Sequence, residues 1–134
     1  MPGRAETLLQ RIVTKARRGH CGDPVGTVAF YGPDDKRAVK VVVGISPDPQ
    51  RGITETRKWW NVERDVREDA KLLEEVLAFL SSQNVKSLIM TNGVYGCPHE
   101  AGIDYPDGES CAQCSFWQDH DRDVGLIGLD HRQR

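Results

Sequence analysis

The chain has 134 residues, a length that suits one compact domain. Hydrophobic residues make up 38% of it and charged residues 28%, a balance typical of a globular protein rather than a disordered one. The formal net charge of −2 argues against general affinity for nucleic acid, and no segment approaches the roughly 20 apolar residues of a membrane helix.

The cysteines suggest a metal site in a reducing compartment. The N-terminal segment lacks the apolar core of a secretory signal, so we expect a cytoplasmic protein without a membrane partner. Clustered cysteines in the cytosol are more often metal ligands than disulfides. Three of the four cysteines cluster, at positions 97, 111 and 114, while Cys21 stands alone.

Residues 5–18 carry an apolar stripe with helical spacing, formed by Leu8, Leu9, Ile12, Val13 and Ala16. Gly19 is suited to end this helix. The basic residues near its end, Lys15, Arg17 and Arg18, interact favourably with the dipole at the helix C-terminus, and we interpret them as a solvated face. The alternative interpretation is a small patch that contacts an anion.

Two strands are predicted next, at residues 25–31 and 38–45, where side chains of alternate polarity follow one another. The turn-rich segment 32–37 between them predicts an antiparallel hairpin. In the second strand the alternation places Lys40 on the face opposite to Val39, Val41, Val43 and Ile45. Residues 46–57 contain two prolines and a glycine, and we expect a loop there.

A long helix is predicted at residues 63–83, capped by Asn61 or Asp65 and ended by Asn84 in a left-handed conformation. A third strand follows at 85–91. Since a strand, a helix and a strand in succession usually form a crossover, the expected fold class is α/β (α+β). It has an α-β-β-α-β core, a small mixed three-stranded sheet and a C-terminal zinc-bound loop module.

The segment after Thr91 is rich in glycine and proline and poor in aliphatic side chains, so it needs another source of folding energy. It contains the pattern C-x-H-x11-C-x2-C. The ligands expected from this pattern are Cys97, His99, Cys111 and Cys114, and three thiolates with one imidazole suit one tetrahedral Zn²⁺ per chain. The alternatives are unrelated free thiols, or a redox pair at Cys111 and Cys114.

Four protein ligands leave no vertex for water, so the zinc is expected to be structural and no residue is assigned a catalytic role. Glu100 and the other loop acids are then solvated or contact the ligands. If His99 does not bind, Cys21 and His120 are the reserve ligands. We expect Phe116 and Trp117 to dock the module, and divide the single domain into a core (1–92), a zinc module (93–119) and a polar tail (120–134).

The string from Gly96 to Trp117, C-P-H-E-x-G-I-D-Y-P-x-G-E-x-C-x-x-C-x-F-W from Cys97 onward, resembles one in uncharacterised small bacterial proteins. That resemblance implies a zinc module and no particular activity. The module is also similar to zinc-ribbon and treble-clef knuckles, which serve many unrelated functions.

The favoured function is that of a small non-catalytic adaptor that contacts a protein partner or nucleic acid, with a homodimer allowed by the open sheet edges. One alternative is a zinc-dependent hydrolase or nuclease, because Asp119-His120-Asp121 resembles a segment of endonuclease VII-type nucleases. The chain lacks their second C-x-x-C, and His99-Glu100 does not match the H-x-E of zinc deaminases.

A second alternative is a nucleic-acid-binding regulator. Arg57 and Lys58 lie beside Trp59 and Trp60, a mixture that can stack on single strands, although tryptophans before a helix more often pack on a core. This interpretation predicts one contiguous basic face, composed of Arg4, Arg11, Lys15, Arg18, Arg57 and Lys58.

Overall fold

The computed structural model describes residues 3–100, 103–104, 106, 115–118 and 125–128. This part of the chain folds as two α-helices packed against a five-stranded mixed sheet. The helices are α1 (Arg4–Arg17) and α2 (Ala70–Ser82). The strands are β1 (Val25–Tyr31), β2 (Lys40–Ser46), β3 (Glu55–Trp60), β4 (Ser87–Val94) and β5 (Leu126–Ile127). Short 3₁₀ turns lie at Val66–Glu68 and Ser115–Gln118.

The sheet has the order β3-β2-β1-β4-β5. β1 and β2 form the predicted antiparallel hairpin, with Val28 opposite Val43. β1 pairs in parallel with β4, so the α+β class and the mixed character of the sheet are confirmed. Alternate residues of the central strands, among them Val28 and Val43, point to the face on which both helices pack, and these side chains share one apolar core.

The prediction of three strands is wrong. Residues 55–60, of which the first three were assigned to a loop, form β3 and pair with residues 40–45 of β2. Charged side chains, here Glu55, Arg57 and Lys58, are typical of a strand at the edge of a sheet. Leu126 and Ile127, placed in the polar tail, pair with β4 opposite Thr91 and Met90.

The second helix is shorter than predicted because two aspartates cap two separate segments. Asp65 accepts a hydrogen bond from the backbone N–H of Arg67 and begins the 3₁₀ turn. Asp69 accepts one from the N–H of Leu72 and begins α2. At the other end Asn84 has φ 56°, the predicted left-handed conformation.

The first helix ends close to the predicted position. α1 buries Leu8, Ile12 and Ala16 against the sheet and α2. Gly19 follows with φ 74°, a backbone conformation that glycine adopts without steric cost. Within the residues described, neither helix is long and apolar enough to cross a membrane.

Candidate metal centre

The segment that follows β4 is tied by its backbone to the end of β1. The N–H of Tyr95 donates to the carbonyl of Phe30 at 2.6 Å, and the N–H of Gly32 donates to the carbonyl of Gly96 at 2.8 Å. The rings of Tyr31 and Tyr95 meet edge to face, 6.2 Å apart. These contacts fix the chain immediately before Cys97.

Two of the four predicted zinc ligands lie together at this point. The Sγ of Cys97 is 3.3 Å from Nδ1 of His99, and the backbone N–H of His99 donates to the same sulfur at 3.3 Å. A tetrahedral zinc with ordinary Zn–S and Zn–N bonds separates such a sulfur and nitrogen by about 3.5 Å. The two ligand atoms therefore have the spacing that one metal ion requires, and Cys97 is also buried away from solvent.

The other two predicted ligands, Cys111 and Cys114, lie outside the described residues, as does His120. Among the residues that are described, no three histidine, cysteine or acidic side chains form a group that could hold a metal. The geometry therefore fits half of the predicted ligand set, and the full set of four stays a prediction.

Cys21 is excluded as a substitute ligand by its position at the opposite end of the sheet. Its backbone N–H donates to Oγ of Ser87 at the first residue of β4, whereas Cys97 follows the last residue of that strand. The eight residues of β4 separate these two ends by about 20 Å.

A buried lysine holds the backbone between the two ligands by a hydrogen bond. Lys40 is 2% exposed, and its Nζ donates to the carbonyl of Pro98, between the two ligands, at 2.9 Å. The same ammonium lies 3.2 Å from Glu100 Oε2 and 4.7 Å from the ring centre of Trp60. Sequence reasoning placed Lys40 on the face opposite the core without assigning it a role.

Glu100 is held by two lysines. The Nζ of Lys58 lies 2.6 Å from its Oε2, the atom that Lys40 also reaches. The hydrogen bond from Lys58, followed by that from Lys40, outweighs partial burial and lowers the pKa of Glu100. Its backbone N–H donates to Oδ2 of Asp104 at 2.7 Å, which closes the turn after the ligand pair.

Trp117 docks the downstream segment on the core, as expected. Its Nε1–H donates to the carbonyl of Gly32 at 2.7 Å, and its ring packs against the core cluster. Phe116 meets it edge to face at 4.9 Å. Gly32 therefore holds the chain both before Cys97 and after Cys114.

The six basic residues proposed for a nucleic-acid interface do not form one face. Arg4 pairs with Glu74, and Arg57 lies 4.8 Å from the ring centre of Phe79 on the helix-covered face. Lys58, the next residue, points to the opposite face and pairs with Glu100.

Comparison with known proteins gives no relative. No family model, no curated protein and no solved structure matches the chain.

Proposed function

We propose that the protein is a cytoplasmic, non-catalytic adaptor stabilised by one structural zinc ion, held by Cys97, His99, Cys111 and Cys114. The observation that carries this proposal is the pair formed by the buried Cys97 and the half-buried His99, whose ligand atoms lie 3.3 Å apart. The C-x2-C spacing of the other two residues supplies the remaining half of a tetrahedral set. Zinc would contribute the folding energy that this glycine-rich segment lacks.

The surroundings of the pair favour a structural role. Three thiolates bound to Zn²⁺ leave a net charge near −1, and the buried ammonium of Lys40 beside Pro98 offsets such a charge. Glu100, the residue that follows His99, already accepts hydrogen bonds from Lys40 and Lys58. A carboxylate whose Oε2 accepts hydrogen bonds from two ammonium groups is poorly placed to take a proton from water, which speaks against the hydrolase and nuclease alternative.

The test is the metal content and ligand set of protein purified without added metal. Elemental analysis should give one zinc per chain, and X-ray absorption at the zinc edge should give three sulfur ligands and one nitrogen. A ligand set that contains water, or the absence of any metal, would contradict the structural-zinc proposal.

Serine substitutions assign the ligands. Cys97→Ser and Cys114→Ser should each lower zinc retention during dialysis against a mild chelator. Cys21→Ser is the matched control, because Cys21 is a thiol about 20 Å from the pair, and it should retain zinc like the unmodified protein. Equal loss of zinc from all three variants would refute the assigned ligands.

A further inference from the structure

A groove of about 1090 Å³ runs between α1 and the C-terminal end of α2, on the helix-covered side of the protein. It extends along α1 from Glu6 to Arg18. With a rise of 1.5 Å per residue, this stretch is about 18 Å long, or roughly three helical turns. Of the predicted zinc ligands that the structure describes, neither Cys97 nor His99 lines it.

The rim of the groove is strongly cationic. Arg11, Lys15 and Arg18 are spaced by four and three residues, which places them on one side of α1, and Lys86 stands at the opposite wall. Within the part of the chain that the structure describes, none of these four cations pairs with a carboxylate. Among the described residues that line the groove, Glu6 is the single acidic one.

Like charges at this spacing repel one another and destabilise a helix slightly. By contrast, Arg4 on the same helix pairs with Glu74. The four cations of the rim therefore form a cluster of positive charge that can bind a negatively charged partner.

The floor of the groove is apolar. Leu77 is half-buried there, and Leu80 and Val85 lie deeper. A surface that contacts a nucleic-acid backbone does so through cations and other polar groups, and apolar side chains such as these do not contribute to that contact. The net charge of −2 for the whole chain also disfavours a polyanion. An apolar floor with charged walls is instead the form of a site that receives an amphipathic helix.

We infer that this groove binds an acidic amphipathic helix of a protein partner, with apolar side chains over Leu77 and carboxylates at Arg11, Lys15, Arg18 and Lys86. This inference rests on the proposed adaptor function in one respect, that the protein binds a protein partner. It does not depend on the zinc site, because neither Cys97 nor His99 lines the groove.

The probe is a fluorescein-labelled peptide of about 14 residues, with leucines at helical spacing and glutamates elsewhere, titrated with the full chain by fluorescence anisotropy. Arg11→Glu/Arg18→Glu should bind it about tenfold more weakly, a loss of about 1.4 kcal/mol. Arg17→Glu/Lys71→Glu is the matched control, because both residues are exposed cations of the same helices outside the groove, and it should retain the affinity.

A peptide with lysine in place of glutamate should bind the Arg11→Glu/Arg18→Glu variant better than the unmodified chain, which excludes misfolding as the cause of the loss. No binding of the acidic peptide, equal binding of a scrambled peptide, equal losses in both double variants, or tighter binding of a single-stranded DNA of similar length would overturn the inference. Zinc content is measured on the same samples. Peptide binding without zinc refutes the metal centre alone, whereas zinc without peptide binding refutes the groove alone.

Discussion

Replacing Lys40 with methionine tests whether the buried ammonium organises the segment that contains the candidate ligands. Methionine keeps the length and the apolar stem of the side chain but removes its charge. The change deprives the Pro98 carbonyl of its donor at 2.9 Å and the Trp60 ring of the cation 4.7 Å from its centre. Glu100 keeps Lys58 as a partner, so no uncompensated buried charge is created.

The expected cost follows from these contacts. A hydrogen bond from a charged donor contributes about 1.5–3 kcal/mol, and a cation over an aromatic ring adds about 1 kcal/mol. The side chain of Lys40 is 3% exposed, so burying its ammonium is itself unfavourable. Methionine removes this desolvation cost, which offsets part of the lost stability. We expect a net loss of about 2 kcal/mol, equivalent to a fall in Tm of about 6 °C for a chain of this length.

Lys58→Met is the matched control, because it removes the second ammonium on the same carboxylate. Lys58 makes the shorter contact with Glu100, 2.6 Å against 3.2 Å for Lys40, but the side chains of Lys58 and Glu100 are well exposed, at 38% and 40%. Its loss should cost about 0.5 kcal/mol or less. Urea unfolding of both variants measures the difference. Equal destabilisation by the two, or none by Lys40→Met, would refute the reasoning.

Three other substitutions test how much individual contacts contribute to the stability of the fold. Gly32→Ala places a Cβ 1.7 Å from the carbonyl oxygen of Arg37 and should destabilise the protein by about 2 kcal/mol in urea unfolding; unchanged stability would contradict this contact. Trp117→Phe removes the donor to Gly32 and should cost about 1 kcal/mol by the same measurement, a value near zero indicating that the docking is unimportant. The Leu72 N–H lowers the pKa of Asp69, so the stability due to this carboxylate is present above its ordinary pKa of about 4 and is lost as the pH falls through the lowered value. Asp69→Asn should flatten this part of a stability–pH profile, and an unaltered profile would exclude the assignment.

Local sequence patterns were sufficient to predict the elements whose contacts are local. The hairpin of β1 and β2 follows from alternation and a polar turn, and the left-handed Asn84 follows from the end of an apolar stripe. β5 has two residues, too few to show any period. Its local sign in the sequence is the pair of glycines on either side, Gly125 and Gly128, both of which have positive φ angles.

The environment of the candidate site depends on contacts between distant residues, and that is why it was only half predicted. That Cys97 and His99 lie close together could be predicted, because a single residue separates them in the sequence. The role of Lys40 depends on Pro98, 58 residues away. One clue was available: Val42 lies on the same face as Lys40, and an apolar side chain there indicates that this face of the sheet is covered too.

The position of β4 has a consequence for the order of folding. β1, β2 and β3 are joined in sequence, so they can pair by closing short loops. β4 must instead find β1 across a separation of 62 residues, from Val25 to Ser87, which makes this pairing the slow step. The turn with Cys97 and His99 is held by the bonds of Tyr95 and Gly96 to the end of β1, and so it can form only afterwards. A nascent chain would thus present Cys97 to the metal ions around it before the surface that buries this residue has closed.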